Sequence, residues 1–277
     1  MRRCAALLLL VLPVAGVLAS GVLVGNVLVG SVLVGSMLVR SMGYVTLPGG
    51  TFRSALKYED RKNAIRIAPF QLMQRPITNG EFLGFVQAHP QWQRNRVAAV
   101  FAEPRYLSHW AGPTLLGDKL QRAQPVTQVS WFAASAYCEA QGARLPTWNE
   151  WEYAAAADET RRDARKDPVW LERILGWYSR PSNQPLARAG LQAPNVYGVQ
   201  DLHGLVWEWT DDFSSLLVSG DNRNQDDSDT SKFCGGGALS MNDRGNYAVL
   251  MRVAMLSSLE ASDTTANLGF RCAKDIK

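Results

Sequence analysis

Residues 4–39 carry no charged side chain. Such a run cannot form the surface of a water-soluble domain, and it exceeds the roughly 20 apolar residues that cross a bilayer. It follows Met1-Arg2-Arg3, which gives a positive n-region ahead of an apolar h-region. Val17-Leu18-Ala19 offers small residues at plausible cleavage positions, yet the apolar character continues. It persists as Val22–Gly25, Val27–Gly30 and Val32–Gly35, a five-residue repeat. Two readings stand: a signal peptide with an apolar tail, or an uncleaved membrane anchor formed as an apolar helix over residues 4–39. Arg2-Arg3 lacks the following residues of a twin-arginine signal. Both readings place the body outside the cytoplasm, in the periplasm, with the positive N-terminus left inside and the inner membrane as a contact.

The segment 1–42 also accounts for most of the charge imbalance. The whole chain is formally +4, and three of its positive charges are Arg2, Arg3 and Arg40. What remains is 26 basic against 25 acidic residues. A near-neutral body without a Lys/Arg stripe is not a nucleic-acid binder. Nine Trp, eight Tyr and nine Phe suit a domain whose irregular segments are pinned by large rings. Four Cys without zinc-like pairing exclude a disulfide-rich mini-scaffold and a zinc module.

Residues 43–277 read as one α+β domain. Tyr44-Val45-Thr46-Leu47-Pro48-Gly49-Gly50-Thr51-Phe52 reads as strand, turn, strand, and Ile65–Ile67 with Phe70–Leu72 as a second pair. Thr78 with Glu81 three residues on is a capping box, and Phe82, Phe85 and Val86 give the apolar face of the helix it opens. Ser130 caps a second helix, with Phe132, Ala136 and Tyr137 inward and Gly142 as its stop. Thr147 and Glu150 form another capping box and open a helix to Ala157. After residue 180 helix signals fade. Val249–Met255 and Leu268–Cys272 read as short strands, and residues 219–232, rich in Asp, Asn and Ser, as an exposed loop.

Several segments, in this order and spacing, carry a resemblance. They are Gly49-Gly50-Thr51-Phe52, Pro76-Ile77-Thr78-Asn79-Gly80-Glu81-Phe82 and Ala143-Arg144-Leu145-Pro146-Thr147-x-x-Glu150-Trp151-Glu152-Tyr153-Ala154. Gly204-x-Val206-Trp207-Glu208-Trp209 and Asn267-Leu268-Gly269-Phe270-Arg271-Cys272 follow. Together they resemble the formylglycine-generating enzyme (sulfatase-modifying factor) superfamily over nearly all of residues 43–277. The resemblance implies a C-type-lectin-like fold with much irregular structure. Pro90-Gln91-Trp92 and Arg105–Trp110 resemble the branch that accompanies copper nitrite reductase; a branch acting in siderophore chromophore maturation is another relative.

The family's oxidase activity implies two active-site thiols that hold copper, a task suited to soft sulfur ligands. Counted back from Asn267–Cys272, those positions fall near Asp243 and on Ala248, so the catalytic cysteine pair is missing. The resemblance also implies a disulfide between Cys138 and Cys272, against the alternative of two buried thiols. A second family disulfide falls on Ala155 and Val253, where both partners are absent together. Cys234, ahead of Gly235-Gly236-Gly237, is either a metal or redox thiol or a small buried hydrophobe. With Asp243 it is the weak candidate for a replaced catalytic centre.

Asp201–Glu208 matches the family's main calcium loop. The resemblance assigns side-chain oxygens to Asp201 and Glu208 and backbone carbonyls to Gly204 and Val206, a hard-oxygen set of the kind calcium takes. The alternative is an acidic turn with Glu208 paired to an arginine. The family's other calcium loop falls between Asn183 and Asn195, which contains no acid and is expected to bind nothing. Trp207, Trp209, Arg252 and Arg271 lie in motifs near the implied cleft, with core packing as the other reading of the tryptophans. The histidines are His89, His109 and His203, and their spacing defines no two-histidine-one-carboxylate iron site. The resulting expectation is an exported accessory or maturation protein with a protein or peptide partner, assisting a redox or copper enzyme such as nitrite reductase. The alternatives are a copper- or iron-dependent oxidoreductase with a rebuilt centre and a calcium-stabilised lectin-like module.

Overall fold

The computed structural model describes residues 43–55, 64–179, 184–216 and 247–276, without the side chains of residues 247 and 248. The apolar segment 1–42, the Asp/Asn/Ser-rich stretch 219–232, Cys234 and Asp243 lie outside the described residues. Among the described residues no helix is long and apolar enough to cross a membrane.

Strands β1 (Tyr44–Leu47), β4 (Phe70–Met73) and β7 (Ala273–Asp275) form an antiparallel sheet in the order β1-β4-β7. The last strand thus closes against one of the first: Leu72 faces Ala273 and Phe70 faces Asp275. Strands β2 (Gly50–Arg53) and β3 (Ala64–Ile67) form a separate antiparallel pair. Strand β5 (Trp207–Glu208) runs parallel to β6 (Leu268–Gly269), with Trp207 opposite Leu268 and Glu208 opposite Gly269.

The helices begin where side-chain oxygens satisfy the first free N–H groups. Helix α1 (Asn79–Ala88) opens on the Thr78–Glu81 capping box. Ser130 caps α2 (Trp131–Ala140) by accepting from the Ala133 N–H at 3.2 Å. Helix α2 stops at Gly142, whose φ of 61° suits a residue without Cβ. Its inward face is Ala133, Ala134, Tyr137 and Cys138, while Phe132 and Ala136 are only half-buried. The Thr147–Glu150 box opens α3 (Trp148–Ala155), which ends two residues before the expected Ala157.

Two elements depart from the sequence reading. Helix α4 (Pro168–Tyr178) was not foreseen; Asp167 caps it by accepting from Trp170 N at 2.9 Å, and Pro168 occupies its first turn. The expected strand Val249–Met255 is instead part of helix α5 (Tyr247–Ser257). Val249, Arg252, Val253 and Leu256 are its buried positions, a spacing of helical period that β-branched valines had suggested as a strand. The expected strand Leu268–Cys272 keeps ladder pairing only at Leu268–Gly269.

Phe82, Tyr137 and Phe270 stack or meet edge-on with centroids 5.4–6.0 Å apart, so α1, α2 and the C-terminal motif share one core. Cys138 and Cys272 are disulfide-bonded across this core, 134 residues apart in sequence. In the chain-entropy account, closing so long a loop in the unfolded chain is worth up to about 5 kcal/mol.

Candidate functional site

The β5–β6 pairing sets Glu208 beside Arg271, and both side chains are fully buried. Arg271 Nε and Nη2 donate to Glu208 at 2.8 Å each. Its other N–H groups go to the carbonyls of Met73, Gln74 and Gln200 at 3.1, 3.2 and 2.9 Å. Every guanidinium donor is therefore used. Trp151 Nε1 adds a donor to Glu208 Oε2 at 2.9 Å. An ion pair this dry holds only because both charges keep full hydrogen bonding.

One layer away, α5 delivers Arg252, which is 1 % exposed. Its guanidinium carbon sits 3.7 Å from the Trp151 ring centroid and 5.3 Å from that of Trp207. Nη2 donates weakly to the carbonyls of Leu202 and Val206 at 3.4 and 3.3 Å. Among the described residues, Nε and Nη1 are buried without a hydrogen-bond partner. Burial pulls this guanidinium below its ordinary pKa, opposed by Tyr178 and Glu208. The two rings replace part of the lost hydration through their π faces.

His203 completes the layer and was read from sequence only as part of a loop. It sits among Trp151, Trp170, Trp177 and Tyr178, with ring centroids 5.6–6.4 Å away. Nε2 lies 2.9 Å from the Ala155 carbonyl and Nδ1 3.4 Å from the Tyr178 hydroxyl. Burial pushes its pKa down to about 4. The ring is thus neutral at pH 7, with Nε2 as the protonated nitrogen that donates to Ala155. Three of its four aromatic neighbours come from α4, which is why the box was invisible without that helix. Gly204 fits beneath the same helix: its φ is 83°, and a Cβ would lie 2.6 Å from the Trp177 ring.

The other candidates fall apart spatially or chemically. Trp207 is half-buried against Tyr178 at 5.3 Å. Trp209 is core: its Nε1 donates to the Val129 carbonyl at 2.9 Å and its ring meets Phe213. His89 ends α1 against Phe85, and His109 Nδ1 pairs with Gln128 at 2.6 Å. Among the described residues no three His, Cys, Asp or Glu side chains gather as a metal cluster.

Of the implied calcium ligands, the Asp201 and Glu208 side chains and the Val206 carbonyl already accept protein donors, and no donor is recorded for the Gly204 carbonyl among the described residues. Asp201, in the left-handed region at φ 58°, accepts from Gly190 N at 2.5 Å and Gln192 N at 3.4 Å. Burial raises its pKa, and the Gly190 N–H and the Arg271 charge only partly offset that. Glu208 belongs to Arg271, and the Val206 carbonyl to Arg252. A divalent ion would have to displace these donors and sit beside two guanidinium groups. The donor set as arranged does not fit it, and the acidic-turn alternative, with Glu208 paired to an arginine, describes the geometry.

A family model for the sulfatase-modifying factor enzyme 1-like domain matches residues 34–276. The chain belongs to this family. It is 29 % identical to a formylglycine-generating enzyme of Streptomyces coelicolor, over 84 % of this chain and 89 % of that one. It is 30 % identical to a hercynine oxygenase of Mycobacterium tuberculosis, over 56 % of this chain and 40 % of the relative. A mouse relative described as an inactive Cα-formylglycine-generating enzyme 2 is 27 % identical, over 83 % of this chain and 84 % of its own length.

Proposed function

We propose that this protein is an accessory member of the sulfatase-modifying factor family, exported or membrane-anchored by residues 4–39, that binds a protein partner in the maturation of a redox or copper enzyme such as nitrite reductase. The observation that carries it is a retained scaffold without its chemistry. The Glu208–Arg271 pair, the Cys138–Cys272 bond and the aromatic layer are all built. By the resemblance, the two thiol positions of the family's oxidase fall near Asp243 and on Ala248, and neither residue is a cysteine. A carboxylate and a methyl group cannot hold Cu(I) as a thiolate pair does. The similarity to a relative described as inactive supports the same reading.

In this role the chain's own residues bind rather than react. His203 has no free nitrogen for proton transfer, because both nitrogens face protein groups. Arg252, 1 % exposed against two tryptophan rings, serves as part of the scaffold in this reading. Deletion of the gene tests the proposal: reduced activity of an exported copper or redox enzyme is expected, and normal activity of all of them overturns it. The purified chain is also expected to leave a cysteine-containing sulfatase peptide without an aldehyde product.

Similarity to a hercynine oxygenase favours a second reading, an oxidoreductase whose copper or iron is held by Cys234, Asp243 and a histidine. Substoichiometric copper and iron after anaerobic loading and desalting removes it. The lectin-like reading rests on calcium, whose oxygens are taken up by Arg271, Arg252 and backbone N–H groups.

A further inference from the structure

The β2–β3 pair is a two-stranded sheet, so each strand has one edge that the other does not cover. The outer edge of β2 is held by side chains at three positions, although a groove of about 710 Å³ also lies along it. Tyr153 Oη donates to the Gly49 carbonyl at 2.9 Å, and Arg165 Nη1 to the Arg53 carbonyl at 2.8 Å. Ala55 N donates to Glu152 at 2.7 Å. Residues 49, 53 and 55 alternate outward, as strand geometry requires. Thr51 has the same parity and lies opposite Arg66. The backbone N–H and C=O of Arg66, with those of Ala64 and Ala68, therefore point away from β2. Among the described residues no backbone group pairs with them. The C-terminal edge of the other sheet is treated differently: Arg144 bridges Ala273 of β7.

A groove of about 380 Å³ runs along this open β3 edge, lined by residues 64–68 with Thr147, Asn149 and Glu150. Its far wall is the first turn of α3, and that wall holds a second unpaired group. Among the described residues Asn149 Oδ1 is buried without a hydrogen-bond partner, an unfavourable arrangement until a donor arrives. Glu150 adds little negative charge to the groove, because Arg144 holds it through two bonds of 2.7 Å. Arg66 is exposed and makes no ion pair among the described residues.

We infer that the β3 edge is a docking site for an extended acidic peptide segment of a partner protein, which adds as a third strand. The peptide exchanges N–H and C=O bonds with Arg66, donates a further N–H to Asn149 Oδ1, and sets a carboxylate against the Arg66 guanidinium. Strand addition takes affinity from main-chain bonds and specificity from the side-chain contacts beside them. An uncovered edge of this kind is otherwise a liability that folded proteins cover. The inference rests on the accessory reading only in taking a protein segment as ligand. It shares no residue with the Arg252–Trp207 layer, so binding at β3 and enzyme maturation in the cell fail independently.

The test uses the purified full chain and fluorescein-labelled octapeptides alternating glutamate with valine, read by fluorescence anisotropy. Saturable binding is expected, weakened about tenfold or more when alternate peptide amides are N-methylated, which is the loss of a bond worth about 1.4 kcal/mol. Asn149→Leu is expected to weaken binding to a similar degree. Arg66→Glu, an exposed change that leaves the fold intact by circular dichroism, is expected to shift preference to octapeptides with lysine in place of glutamate. Absence of saturation at millimolar peptide overturns the inference. So does binding indifferent to N-methylation and to both substitutions, or an Arg66-dependent dimer in sedimentation, which would assign the edge to a second copy.

Discussion

Acidification is expected to remove a defined share of this protein's stability through His203. His203 is 6 % exposed, ringed by four aromatic residues, and its pKa is about 4 in the folded state, against about 6.5 in an unfolded chain. Between those values the unfolded chain binds a proton that the folded protein refuses. Stability from this group is therefore complete above pH 6.5 and falls as the pH drops, by about 1.4 kcal/mol per unit. Between pH 7 and 4.5 the loss works out at about 2.4 kcal/mol from these two pKa values. Other groups titrate in the same range with mixed sign. Asp158, Glu81 and Asp163 are lowered and lose stability in acid, whereas Glu152, Asp201 and Asp212 are raised and gain it. The informative quantity is thus a difference between two proteins. His203→Gln keeps an N–H for the Ala155 carbonyl and removes the titration. Urea unfolding of both, at pH 7.0, 6.0, 5.0 and 4.5, is expected to show the variant less stable at pH 7 and the gap closing by about 2–3 kcal/mol at pH 4.5. Parallel stability curves, within about 0.5 kcal/mol across the range, would refute the assignment of a neutral buried His203.

Three further outcomes follow from the same layer. Glu208→Gln leaves the buried Arg271 charge unpaired and is expected to cost about 3–5 kcal/mol in chemical denaturation; a neutral variant argues against the pair. Gly204→Ala forces a Cβ into the Trp177 ring at φ 83°, so a loss of about 2–4 kcal/mol with altered near-UV tryptophan signal is expected, and a neutral variant would mean that α4 does not rest on this loop. Calcium addition or chelation is expected to leave Tm unchanged, because the Asp201, Glu208 and Val206 oxygens already take N–H donors; a Tm that rises with calcium would show that those donors yield.

Much of the scaffold was legible because its cues are local. Thr78 with Glu81 and Thr147 with Glu150 each place a hydroxyl and a carboxylate three residues apart, which closes a helix start without help from the rest of the chain. Gly142 could be read as a stop for the same reason. The Asn267–Cys272 motif was legible as a family signature, and the residues it carries, Arg271 and Cys272, do sit at the centre of the fold. Val249–Met255 reads as a strand, but β propensity records how side chains fit a pleated surface, and here Val249 and Val253 pack on one face of α5 instead.

The sequence by itself determined the charge-free segment, the helix starts, the family, and the absence of thiols at positions 243 and 248. Only the tertiary structure decided what the motif residues do. Glu208 could have served a cation or an arginine, and the choice was made by Arg271, 63 residues away in sequence. His203 was one of three histidines until α4 brought Trp170, Trp177 and Tyr178 around it. Asn149 was an unremarked position inside a capping box until the open edge of β3 was found beside it. A helix start is fixed by neighbours in the chain, whereas a side chain's charge state and partners are fixed by neighbours in space, and those are set only when the chain has folded.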